Sequence, residues 1–288
     1  MNLTLNMATR GRAHLLAETI ERTLANVTLA TTTMLVNVDE DDGPSREAAM
    51  KFFPEIAVSV EPREESLGAK YNRALRNAPA DIYLTMVDYA PILTKGFDYR
   101  VQEAAAIYPD KILCCYGHWA NLSFPSLQAV THTLAGKMGF IYPPFFPFWF
   151  VDHWLQDVVD MIGREVFVDV EVDCHSRRPD KTTRLRDVAF WSVLYDALYP
   201  LRRECAFSII QGDDFEETPA RKRALMQNWT RVNEYAKILH RGLRADVAGI
   251  HDARGTDAPD PGYDAIKAKA KIMLRNAVKL IEAEQAAA

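Results

Sequence analysis

Apolar residues first cluster at residues 3–8, a run short enough to predict a strand. Thr9-Arg10-Gly11-Arg12 breaks it, and Leu16, Ile20, Leu24 and Val27 then recur at helical spacing. A second apolar run, residues 33–38, ends in Asp39-Glu40-Asp41-Asp42-Gly43-Pro44, whose acidic and turn-forming residues predict an exposed loop at a strand's carboxyl end. Residues 56–60 predict a third strand, residues 69–77 a helix, and residues 81–87 a fourth strand that stops at Asp88. Strands alternating with helices at this spacing imply crossover connections and a mostly parallel sheet.

Beyond Ile112 the pattern is irregular. Short strands are predicted near residues 111–116 and 166–172, with a loop rich in proline and aromatics between them at residues 142–150. Val151-Asp152-His153-Trp154 then heads a helix to about Ile162, ahead of Gly163. The last hundred residues read as helical. Leu185, Val188, Trp191, Tyr195 and Leu198 form one stripe, Leu225, Trp229, Val232, Ala236 and Leu239 a second, and Ile266, Ala270, Met273, Ala277 and Leu280 a third. Such stripes are packing faces. A turn-rich segment, residues 255–262, leads into the final helix. The expected division is therefore an α/β part, residues 1–178, and a helical extension, residues 179–288.

Composition narrows the function classes. With 288 residues, 48% of them apolar, the chain can bury a large core. Its 34 basic against 39 acidic side chains give no electrostatic reason for broad nucleic-acid binding. No apolar run reaches the roughly 18 residues of a membrane span, and the first residues lack a secretory pattern. Cys114, Cys115, Cys174 and Cys205 form neither a Cys-x-x-Cys pair nor a disulfide framework, so reduced thiols and a cytoplasmic location are expected. The single Gly11 after the first strand excludes a dinucleotide-binding fingerprint and a glycine-rich nucleotidyltransferase loop, and no phosphate-binding Gly-Lys-Ser/Thr loop is present.

In open sheets of this kind ligands collect at the carboxyl ends of strands. Arg10, Arg12, Asp39 and Asp88 all fall there. A first strand ending in Thr-Arg-Gly-Arg, a second ending in Asp39, a helix after Leu67-Gly68 and a strand leading to Asp88 together resemble the family-two glycosyltransferases and their GT-A relatives, over roughly residues 3–175. The resemblance implies a GT-A fold: a mostly parallel sheet flanked by helices, followed here by the helical extension. It also implies transfer of a sugar from a nucleotide-sugar donor, a UDP-sugar first, to an acceptor hydroxyl with inversion.

Position by position, Thr9 and Arg10 resemble the loop that touches the nucleotide, and Asp39 the acid that pairs with the base. Lys70, Asn72 and Arg73 lie in Ser66-Leu67-Gly68-Ala69-Lys70-Tyr71-Asn72-Arg73, which is similar to the helix beside the diphosphate but lacks its usual Arg-Asn pair. Asp88 resembles the first acid of the Asp-x-Asp motif, which implies a divalent cation, Mn2+ or Mg2+, yet Ala90 stands at the second position. His175 resembles the histidine that completes the metal site in many relatives. Asp152 resembles the acceptor-site general base, with Val151 where the family often has Glu. His153, Trp149 and Trp154 are the acceptor-side candidates, since large rings stack on sugars and on bases.

Two rival readings remain open at this point. Ala90 is consistent with a non-catalytic nucleotide-sugar-binding module. Arg221, Lys222, Arg223, Arg241 and Arg244 are consistent with a phage-type enzyme whose acceptor is a nucleic-acid base.

Overall fold

A computed structural model of the chain describes residues 1–119, 127–173, 188–225 and 261–286. The chain divides into two compact units that interleave in sequence: Met1–Tyr142 with Arg164–Asp180, and Pro143–Gly163 with Lys181–Ala288. The aromatic loop and the helix carrying Asp152 thus belong to the helical unit.

The first unit is built on β1 (Leu3–Ala8), β2 (Thr32–Asp39), β3 (Ala57–Glu61), β4 (Ile82–Val87), β5 (Cys114–Trp119), β6 (Leu127–Thr131) and β7 (Glu165–Val172). They form one sheet in the order β3-β2-β1-β4-β6-β5-β7. β1 pairs in parallel with β2 and β4, β2 with β3, and β5 with β7, whereas β6 runs antiparallel to both β4 and β5. All six residues of β1 are buried, as befits a central strand covered on both faces. The first helix, α1 (Ala13–Leu24), buries Leu16, Thr19, Ile20 and Thr23, a single stripe at spacings of three and four.

Four further helices belong here: α2 (Gly43–Met50), α3 (Leu67–Asn77), α4 (Phe97–Ala105) and α5 (His132–Met138). The acidic run after β2 is an exposed turn at Glu40 and Asp41, as its composition predicts, but not at its two ends. Asp39 ends the strand and is buried, and Asp42 caps α2, its carboxylate accepting the Ser45 amide at 3.3 Å. Polar tethers then fix the layers. Asn6, inside β1, donates to the Tyr71 carbonyl of α3 at 2.8 Å, and the Tyr71 hydroxyl donates to the Met86 carbonyl of β4 at 2.6 Å. Asp98 of α4 accepts from the Thr28 amide and hydroxyl, the Leu29 amide and the Thr32 hydroxyl. Burial opposes the charge on Asp98, but these bonds outweigh it and hold its carboxyl below the ordinary range.

The second unit contains α6 (Val151–Ile162), α7 (Val188–Ala197), α8 (Tyr199–Gln211) and a last helix, Pro261–Ala286. α6 packs on α8, and the last helix packs on α7. Trp191 is fully buried and its indole donates to the Tyr263 hydroxyl at 3.0 Å. The predicted stripes match at Trp191, Leu198, Ile266 and Ala270, all buried, while Leu280 is exposed near the end of the last helix. Leu185, the stripe beyond Leu225, the segment 255–260, and His175, Cys174, Arg241 and Arg244 lie outside the described residues.

Cys114, Cys115 and Cys205 are free thiols. Burial pushes Cys115 up to about 12 and Cys205 to about 11, which keeps both protonated and unreactive. Among the described residues no helix is long and apolar enough to cross a membrane.

Candidate functional site

Strand register assembles the site. Ala8, the last residue of β1, lies opposite Asn37 of β2 and Val87 of β4. One step beyond Ala8 and Val87 the chain reaches Thr9 and Asp88, and two steps beyond Asn37 β2 ends at Asp39, so these three residues emerge at the same sheet edge. The β1–α1 loop bends there at Gly11, whose φ of 69° is unfavourable for a residue with a β-carbon. The Gly11 amide donates to Asp42 at 2.8 Å, tying this loop to the start of α2.

Asp39 has a fully buried side chain and meets three cations. Lys70 Nζ lies 2.6 Å from Oδ2, Arg10 Nη1 lies 3.0 Å from the same oxygen, and Arg73 Nη2 lies 3.4 Å from Oδ1. Lys70 also donates to the Thr9 carbonyl at 3.0 Å. Burial pushes the Lys70 ammonium below its ordinary value, against the pull of Asp39. Lys70 is therefore a buried anchor rather than an exposed helix lysine. Arg10 reaches further, to a two-point pairing with Asp41 at 2.6 and 2.8 Å, and its side chain is 38% exposed.

Two of the predicted donor residues serve the scaffold. Arg73 is fully buried and donates to the Val38 and Pro62 carbonyls, with Glu64 at 3.2 Å from its Nε. Asn72 uses both ends of its amide on the backbone of 141–142: it donates to the Tyr142 carbonyl and accepts from the Ile141 and Tyr142 amides.

Asp88 is fully buried. The Thr9 hydroxyl donates to Oδ2 at 2.7 Å, and Arg12 Nε lies 2.8 Å from Oδ1 and 3.0 Å from Oδ2. Burial pushes the carboxyl up, while Arg12 and then the Thr9 bond pull it back toward the charged form. The Arg12 guanidinium also stands 5.0 Å from the centre of the Tyr89 ring, and Thr19 donates to the Asp88 carbonyl. Asp41, Asp42 and Tyr89 were not singled out by the sequence. For Asp42 a signal existed, an acid directly ahead of Gly-Pro at a helix start.

In the helical unit Asp152 occupies the first turn of α6. Its Oδ1 accepts the His153 amide at 2.9 Å and lies 2.9 Å from His153 Nδ1. Both side chains are partly exposed. The Tyr195 hydroxyl donates to the His153 carbonyl and to Asp157, and Asp157 also holds the buried Arg202. Trp154, predicted as an acceptor platform, is a core residue: it is 3% exposed, with Phe145 and Phe146 against its ring at 5.0 and 6.3 Å and Arg202 at 5.3 Å. Trp149 is half-buried beside Phe148.

The sequence matches no protein-family model and no curated protein. Its fold is nevertheless shared. A mannosyltransferase from Pyrobaculum calidifontis, solved with GDP-Man and Mn2+, superposes with a TM-score of 0.52 at 12% identity, covering 98% of this chain and 84% of the other. The S. aureus TarS 1–349 structure superposes with a TM-score of 0.53 at 12% identity, covering 99% and 91%; the same fragment with UDP-GlcNAc gives 0.51. The architecture is therefore that of the GT-A glycosyltransferases, a mostly parallel sheet flanked by helices with further helices at the C-terminal end.

Among the described residues no protein ligand set for a divalent cation is assembled, and His175 lies outside them. Asp88 Oδ2 takes the hydrogen bonds of Thr9 and Arg12, its buried Oδ1 accepts none although Arg12 Nε lies 2.8 Å away, and Ala90, 2% exposed within the apolar core, offers no ligand. Among the described residues no three His, Cys, Asp or Glu side chains converge on a common point.

Proposed function

We propose that this chain is a glycosyltransferase that binds a nucleotide-sugar donor, a UDP-sugar first, at the carboxyl edge of β1, β2 and β4 and passes the sugar to an acceptor hydroxyl with inversion. The observation that carries this reading is the convergence of Thr9, Arg10, Arg12, Asp39, Lys70 and Asp88 at that edge. Asp39 offers a carboxylate to a base or ribose, and the flanking cations suit a diphosphate. Arg73 holds the end of β2 in this arrangement through the Val38 carbonyl and Asp39, while Asn72 holds the backbone of 141–142. The UDP, UDP-GlcNAc and GDP-Man found in the structures of similar fold support the donor class.

In this reading Asp152 is the general base. It takes the acceptor hydroxyl proton as the oxygen bonds to the anomeric carbon, and the nucleoside diphosphate leaves with the electrons of the broken bond. His153, bonded through Nδ1, orients the carboxylate. Of the basic residues behind the nucleic-acid acceptor reading, Arg221 and Arg223 are exposed, with Arg221 against Gly163, while Lys222 stands 5.6 Å from the Phe215 ring centre.

A thermal-shift panel of nucleoside diphosphates and nucleotide sugars tests the donor class. A ligand at 100 times its Kd stabilises the folded state by about 2.7 kcal/mol, so one nucleotide family is expected to raise the melting temperature by several degrees. A flat response across the panel would remove the reading.

A further inference from the structure

The carboxyl end of β4 carries a cation of its own. Arg12 reaches Asp88 with Nε at 2.8 and 3.0 Å, Tyr89 lies beside its guanidinium, and the Thr9 hydroxyl fills the remaining approach to Oδ2 at 2.7 Å. Position 90, two residues on, is apolar and buried, so a carboxylate there would enter hydrocarbon. Close by, three cations gather on Asp39: Arg10 and Lys70 share one of its oxygens and Arg73 takes the other. Asp41, Glu61 and Glu64 on the rim match these charges, so the cluster offers fixed and oriented donors rather than a surplus of charge. A leaving diphosphate develops charge that some cation must offset. A guanidinium does this without a proton or a metal, because it is always charged and presents a planar fork of donors to phosphate oxygens.

We propose that Arg12, anchored by Asp88 and assisted by Arg10, neutralises the donor diphosphate in place of a divalent cation, so that donor binding by this chain is independent of metal. The inference rests on the donor reading above. Asp88 then serves as the positioning residue for Arg12. Lys70, held on Asp39 and the Thr9 carbonyl, keeps the loop that carries both arginines against the sheet.

The test is calorimetric titration of the purified full chain with UDP and with GDP, once in EDTA and once in Mn2+. The expected result is an affinity for the preferred nucleotide that agrees within about twofold between the two conditions. Arg12→Met leaves Asp88 buried without its cation and risks unfolding, so the informative variant is the double substitution Arg12→Met/Asp88→Asn, which removes both charges at nearly constant volume. With folding verified by circular dichroism, it is expected to bind the nucleotide about 10- to 100-fold more weakly, as for loss of a charged hydrogen-bonding partner, with no recovery in Mn2+. Binding that vanishes in EDTA and returns with Mn2+ would overturn the proposal, as would a double variant of unchanged affinity. Absence of binding under both conditions would remove the donor reading itself, and this inference with it.

Discussion

Asp152→Asn is expected to lower the rate of sugar transfer by about 10²- to 10⁴-fold, the range for loss of a positioned general base, while nucleotide affinity stays unchanged. The substitution is well suited to the geometry. Asp152 Oδ1 accepts the His153 amide at 2.9 Å, and an Asn carbonyl oxygen can keep that bond. The start of α6, whose N-cap residue Phe150 offers no side-chain cap, is thereby preserved. The proton acceptor alone is lost. Release of nucleoside diphosphate from the preferred donor, measured beside calorimetric affinity, separates the two effects. A variant that turns over at the wild-type rate would remove Asp152 from the chemistry.

Asp39→Ala is expected to cost about 3–5 kcal/mol of folding stability, the usual penalty for removing one partner of a buried ionic group. In a domain of this size that corresponds to a fall in melting temperature on the order of 10 °C. Three cations depend on this carboxylate, and two of them, Lys70 and Arg73, are buried. Burial already pushes Lys70 down from its ordinary value, and Asp39 is the principal influence holding its proton. Without Asp39, Lys70 is expected to neutralise and to release the Thr9 carbonyl, which loosens the loop carrying Arg10 and Arg12. Nucleotide affinity should fall with stability. Thermal denaturation with and without nucleotide checks both, and a variant as stable as the parent would show that the cluster is not a structural keystone.

The strands of the parallel half were legible because each is an apolar run bounded by turn residues, and Asp88 was legible as the acid on which such a run stops. Register could not be read locally. The pairing of Arg10 with Asp39, 29 positions apart, exists because β1 and β2 align Ala8 with Asn37. For the same reason an acidic run that looked solvated supplies one fully buried carboxylate and one helix cap. The β6–α5 segment was hidden for another reason. Leu127–Thr131 is five residues long and wholly buried, with Gln128 accommodated by the Tyr142 hydroxyl at 2.8 Å, so it shows no alternation of apolar and polar residues. Trp154 failed as an acceptor platform because an aromatic run in sequence does not reveal which rings face one another. Here Phe146 gathers Phe145, Phe150, Trp154, Trp191 and Tyr195 into one cluster.

The divalent cation implied by the family resemblance has no assembled protein ligand set among the described residues. Ala90 alone signalled a missing ligand. The structure adds that Asp88 is engaged by Arg12 and Thr9, the contacts on which the proposed metal-independent binding rests.

Amide hydrogen exchange of the full chain, with and without the nucleotide sugar that gives the largest thermal shift, tests the central claim of a donor site at the carboxyl edge of β1, β2 and β4. Protection is expected to concentrate in residues 9–12, 39–42, 66–73 and 88–91. A bound nucleotide that leaves these segments unchanged and protects others would contradict it.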